Sequence, residues 1–100
     1  MTYANRPLNV FTIASLMGFP FPDPERGRRS AANTDVWLGR YTRRRGPGGP
    51  GIFLGRSRSD SPEWYLEFEA EVDEVTKRRC WQILEGQNAG MTTTAFRATA

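Results

Sequence analysis

The sequence predicts an α+β fold. A small antiparallel sheet or hairpin includes a strand at 64–72, packed by a helix at about 73–85 and by a short N-terminal helix at about 9–17. Three observations carry this expectation. Trp64, Leu66, Phe68, Ala70 and Val72 alternate with Tyr65, Glu67, Glu69 and Glu71, the period-two pattern of a strand with one buried and one acidic face. Asp73 then stands where a helix cap belongs, and Val72, Val75 or Thr76, Cys80, Ile83 and Leu84 recur at helical spacing up to a stop at Gly86. Near the start, Val10, Ile13, Ala14 and Met17 mark one helical face.

In chain order, residues 1–7 read as a loose arm. Asn9 caps the first helix and Gly18 closes it, with Pro20 preventing continuation. Phe11 and Thr12 are poor helix formers, so a strand is the rival there. In Phe19–Pro24 each proline drives its predecessor toward extended geometry, which predicts a rigid connector with Phe19 and Phe21 on the core. Glu25–Ser30 reads as a basic turn.

Thr34–Leu38 either opens a short helix capped by Thr34 or forms a strand ending at Tyr41. The echo between Val36-Trp-Leu-Gly-Arg40 and Ile52-Phe-Leu-Gly-Arg56, joined by a Gly/Pro-rich tract, makes a β-hairpin the alternative to helix plus linker. Asp60–Pro62 is a turn. Residues 1–86 thus make one small domain with a flexible Gly/Pro/Arg-rich loop at 42–51, and 87–100 a flexible tail or late edge strand.

The charge is unevenly placed. Residues 1–60 hold ten arginines against four acids, whereas residues 61–100 hold four basic residues against seven acids. Between Asp35 and Asp60 there are six arginines and no acid. Cation on such a tract attracts a phosphate polymer, because each neutralised phosphate releases condensed counterions. Trp37 and Tyr41 lie beside these arginines and could stack on the bases of a single strand. The opposing expectation is that the glutamates at 67, 69 and 71 pair with arginines of a neighbouring strand.

Catalysis finds no support. The chain has no histidine, and its single cysteine, Cys80, rules out an internal disulfide and a thiolate or imidazole zinc site. There is no nucleophile–base set, phosphate loop or dinucleotide fingerprint, so no catalytic residue, metal ligand or cofactor is expected. The apolar stretch Leu8–Phe19 is too short to span a bilayer, which predicts a cytoplasmic protein without membrane attachment.

Thr12-Ile-Ala-Ser-Leu-Met-Gly18 is similar to the first helix and turn of small helix-turn-helix proteins. Phe19–Ser30, followed by Asp35-Val-Trp-Leu38, resembles the wing and following helix of excisionase/AlpA-like proteins, the MerR-type winged helix-turn-helix group. The resemblance covers residues 12–50. It implies DNA binding, with Arg26, Arg28 and Arg29 as wing contacts to phosphate and Arg40, Arg43, Arg44 and Arg45 as contacts after the helix. No room exists for a recognition helix between Gly18 and Phe19, so the groove-reading residues do not carry over.

The functional expectation is a non-enzymatic DNA-binding or regulatory protein of mobile-element type. It contacts phosphates through Arg26, Arg28, Arg29, Arg40, Arg43, Arg44, Arg45, Arg56 and Arg58, with DNA ranked before RNA. The alternative is a protein-interaction module, an inhibitor or adaptor anchored by Trp37, Trp64, Trp81 and the arginines, with a protein partner or homodimer.

Overall fold

The structure, a computed structural model, describes residues 8–45, 48–58 and 62–99, excepting the side chains of Pro24, Arg26 and residues 91–99. The arm expected at 1–7 and most of the turn expected at Asp60–Pro62 lie outside the described residues. The elements run α1 (Val10–Leu16), β1 (Phe21–Arg29), β2 (Val36–Thr42), β3 (Gly51–Ser57), β4 (Trp64–Phe68) and α2 (Glu74–Thr99). The strands form one antiparallel sheet in sequential order, so the fold is α+β as the sequence predicts.

α1 carries both expected end signals. The Asn9 side chain accepts from the Thr12 backbone N–H at 2.9 Å. Gly18, at φ +90°, turns the chain so that its N–H reaches the Ser15 carbonyl and the Phe19 N–H reaches the Ala14 carbonyl. This is a Schellman closure, and it drops Phe19 into the core beside Ile13, Ala14 and Met17.

The segment expected as a connector and basic turn is instead edge strand β1. Pro22 and Pro24 lack an N–H, which an edge strand tolerates on its open side. Register with β2 breaks between Asp23 and Arg28, leaving a bulge over the intervening residues. The helical alternative for Thr34–Leu38 gives way to the hairpin: β2 and β3 pair without interruption from Val36↔Ser57 to Thr42↔Gly51. β-Branched and aromatic residues at Val36, Trp37, Tyr41, Ile52 and Phe53 favour that pairing. Gly48 and Gly49, at φ +88° and +80°, supply left-handed backbone in the connecting loop.

Two boundaries differ from expectation. The strand expected at 64–72 ends at Phe68, because its partner β3 begins at Gly51 and offers nothing further to pair with. Glu69 instead turns its carboxylate onto the Gly51 N–H at 2.7 Å, and Val72 is reached through a turn. The helix expected to stop at Gly86 continues to Thr99, replacing the expected tail. Contacts just past the glycine hold it: the Gln87 side-chain Oε1 accepts from the Leu8 N–H at 3.0 Å, and the Asn88 side chain bonds both the N–H and the carbonyl of Trp64. A Gly inside a helix costs only about 1 kcal/mol relative to Ala, which such tertiary contacts offset.

The near face of the sheet packs on the helices, burying Ile13, Ala14, Met17, Phe19, Tyr41, Ile52, Leu54, Trp64, Leu66, Cys80 and Leu84 together. The far face holds a second small core of Val36, Leu38 and Phe53 with Tyr65 beside it. Among the described residues, no helix covers that side. The sheet covers it by coiling: Arg28, on one edge strand, bonds Glu67, on the other, at 2.6 Å. In a flat sheet these strands would stand ~14 Å apart. The Ser30–Asn33 turn closes the same gap, with Ser30 Oγ and the Ala31 N–H donating to Glu67 and the Asn33 amide donating to the Tyr65 hydroxyl.

Candidate nucleic-acid interface

The nine arginines singled out by sequence divide by the face and end of the sheet on which they fall. On the far face, Arg28 pairs with Glu67 and lies 4.2 Å from the Phe53 ring centroid. Arg40 is the most enclosed, with its side chain 9% exposed. It donates to Glu69 at 2.7 Å and to the Gly49 carbonyl at 2.8 Å, with Asp23 at 3.5 Å. The hydrogen bond to Glu69 outweighs desolvation and raises the Arg40 pKa further, so its charge is fixed. Arg43 joins the cap of α2, donating to Asp73 at 3.1 Å and to Thr76 Oγ1 at 2.9 Å. These three guanidinium groups are neutralised by the protein's own carboxylates. Glu67 and Glu69 thus pair with arginines as expected, but not with those of the neighbouring strand: Arg28 lies on the opposite edge strand and Arg40 on β2, while the neighbour of β4 is β3.

Arg29, Arg44, Arg45, Arg56 and Arg58 are exposed and have no carboxylate partner among the described residues. The side chain of Arg26 lies outside the described residues. Arg44 and Arg45 follow β2, and Arg45 sits 5.4 Å from the Phe21 ring. Arg29, Arg56 and Arg58 gather at the opposite end of the sheet. There the pairing aligns Arg29 with Trp37, Trp37 with Arg56, and Arg56 with Trp64, one residue from each strand in a row on the near face.

Trp37 is the centre of this row and is 54% exposed, an unusual position for so large an apolar side chain. Gly27, inside the β1 bulge, makes space for it: a Cβ there would come within 3.0 Å of the indole nitrogen. Trp37 stands between two hollows. One, of about 290 Å³, is lined by Arg29, Thr34, Asp35 and Arg58. The other, of about 400 Å³, runs over Gly39, Tyr41, Leu54, Gly55 and Arg56 to Trp64, with Asn9 and Val10 as its wall. Burial raises the pKa of the Tyr41 hydroxyl, which keeps it neutral and able to donate at physiological pH.

Arg29 is held in place by a 2.6 Å bond from Nη1 to the Thr34 carbonyl. Arg56 lies over the Trp64 ring at 5.7 Å. The arrangement offers cations around a flat aromatic surface. It contains no nucleophile–base pair, and no group of three or more metal-ligating side chains converges among the described residues. Cys80 is buried, and desolvation raises its pKa, so its thiolate form is disfavoured. Among the described residues, no helix is long and apolar enough to cross a membrane.

Sequence reasoning named the arginines, Trp37 and Tyr41 but not the division of the arginines, gave Trp64 only as an anchor for a protein partner, and missed Gly27 and Gly39 as parts of the site. The echo at 36–40 and 52–56 held the necessary signal, since a hairpin between those runs sets Trp37 opposite Arg56. The arrangement implied by the helix-turn-helix resemblance is not found among the described residues: α1 is followed by strand, and Asp35–Leu38 enters β2. No family model, curated protein or solved structure matches the chain.

Proposed function

We propose that this chain is a non-enzymatic, cytoplasmic nucleic-acid-binding protein that grips phosphates with Arg29, Arg56 and Arg58 around the exposed Trp37. The observation that supports this reading is the cross-strand row itself, which brings residues from three strands into one cationic, aromatic surface without a carboxylate partner among the described residues. Arg44 and Arg45 extend the contact from the far end of β2, while Arg28, Arg40 and Arg43 serve the fold.

Titration of a labelled oligonucleotide at several salt concentrations tests this. Affinity should fall linearly on a log–log plot, and the combined change of Arg29, Arg56 and Arg58 to Gln should reduce that slope by roughly 0.7–0.9 per lost contact. Binding whose salt slope is the same in the variant removes these arginines from the interface.

The second reading, a protein-interaction module, is favoured by the internal pairing of three of the arginines and by the exposure of Phe11, Leu16, Val75 and Trp81. It predicts tight capture of one protein partner at moderate salt and no oligonucleotide affinity.

A further inference from the structure

We infer that the hollow beside Trp37 accepts an unpaired nucleobase, so that the protein binds single-stranded nucleic acid in preference to duplex. The inference rests on the nucleic-acid reading above and adds the form of the polymer. β2 presents Trp37, Gly39 and Tyr41 in succession to the near face, so the glycine opens a notch between two aromatic rings. Gly39 is not there to relieve backbone strain, because its φ is not in the left-handed region. The nearest atoms to a Cβ at this position belong to the Tyr41 side chain, at an ordinary contact distance of 3.4–3.7 Å. The missing side chain leaves space, and that space is bounded by aromatic and aliphatic surface on one side and by arginine on the other.

The occupant follows from charge and shape. The rim holds Arg29 and Arg58, with Asp35 beside them, on one side of Trp37 and Arg56 on the other, three cations to one carboxylate, which favours an anion with an aromatic body. Stacking on aromatic side chains with arginine on the backbone is how unpaired bases are held regardless of sequence. An unpaired base can present its flat ring to the hollow beside Asn9 and Val10. A duplex cannot present one without flipping a base out of its stack.

One further feature points the same way. Trp64 lines this hollow, is 4% exposed, and its indole Nε1 has no hydrogen-bond partner. An unpaired buried donor is disfavoured, and the edge of a base carries acceptors. Arg56 lies over the Trp64 ring in the free protein. Its transfer to a phosphate would uncover the indole as the base enters.

The test compares three fluorescently labelled DNA probes of about 12 nucleotides, within the ~4–16-nucleotide span of small single-strand binders. They are a single strand, the same strand in duplex, and a single strand of equal phosphate count carrying abasic sites. Anisotropy should show the intact single strand binding at least about tenfold tighter than the abasic one, the scale of one stacked base. Gly39→Val suits a strand and fills the notch, so in that variant the preference for the intact over the abasic strand should be lost.

Equal affinity for intact and abasic strands overturns base insertion, whatever Gly39→Val does, and leaves phosphate gripping intact. Absence of binding to all three probes overturns the nucleic-acid reading and this inference with it. Because the abasic comparison uses the unaltered protein, it decides the matter even if the variant fails to fold.

Discussion

The run Leu-Gly-Arg occurs twice in the sheet, at 38–40 on β2 and at 54–56 on β3, and the two copies meet opposite fates. Arg40 is enclosed on the far face between Glu69 and Asp23, while Arg56 is exposed on the near face over Trp64. The cause is register. The antiparallel pairing of β2 with β3 matches even positions to odd ones, as in Leu38↔Gly55 and Arg40↔Phe53. Residues opposite one another share a face, so two arginines at even positions on paired strands must point to opposite sides. Charge density along a sequence therefore says little about which cations a partner can reach. The face of the sheet decides it, and so does the position of the acids that pair with that face.

The glycines of the two copies differ as sharply, and they give the largest expected effect. A Cβ at Gly55 would fall 2.1 Å from the Trp37 carbonyl oxygen and 2.7 Å from Leu38 Cδ2, so β2 would have to move. Gly55→Ala should destabilise the fold by ~3 kcal/mol or more, at or beyond the upper end for overpacking, whereas Gly39→Ala should change stability by less than ~1 kcal/mol. Urea unfolding of the two variants checks this. Similar midpoints for both would mean that β2 and β3 are not registered as described.

The arginines come next. Arg40→Ala leaves Glu69 and Asp23 facing each other without their shared cation and should cost about 3 kcal/mol, the lower end for breaking an enclosed pair because both carboxylates retain some exposure. Arg56→Ala should stay within about 0.5 kcal/mol, as for an ordinary surface change. Oligonucleotide binding should rank them the other way, with Arg56→Ala weakening affinity and Arg40→Ala leaving the affinity of its folded fraction unaltered. If both variants lose binding and neither loses stability, the division between structural and available arginines is wrong.

How much of this was legible depended on whether the deciding force was local. The first helix was readable because its cap, apolar face and closing glycine all lie within ten residues, Asn9 to Gly18. The alternation in β4 was readable for the same reason, up to Phe68. Its end was not, because that is set by where β3 begins. The continuation of α2 past Gly86 depends on Leu8 and Trp64, both remote in sequence, and no local propensity could report it. The prolines of Phe19–Pro24 set extended backbone, which fits a connector as well as a strand, and only the place of β1 at the sheet edge decides between them. Among the site residues, the pairing of Arg28 with Glu67 needs the sheet to coil, a property of four strands together.

The smallest expected effect concerns the paired end of the molecule, where Asp73 caps α2 and receives Arg43. Asp73 is exposed, yet its pKa is lowered to about 2 from an ordinary value of 3.8. The hydrogen bond from the Thr76 hydroxyl is the largest cause, followed by the Thr76 backbone N–H and then by Arg43. A carboxyl whose folded pKa is depressed adds stability that is present above its unfolded pKa and is lost as pH falls through its folded one. The window for this cap is therefore roughly pH 4 down to 2. Thr76→Val removes the largest contribution while keeping the backbone bond and Arg43. In that variant the Asp73 pKa, followed by carboxyl NMR, should rise toward the ordinary range, and acid unfolding should begin at a higher pH. At neutral pH, binding of an oligonucleotide at the Trp37 end should be untouched, because Asp73 and Arg43 lie at the other end of the sheet. A Thr76→Val protein whose Asp73 titrates as before would show that the hydroxyl does not hold the cap, and would shift that role to Arg43 and the backbone.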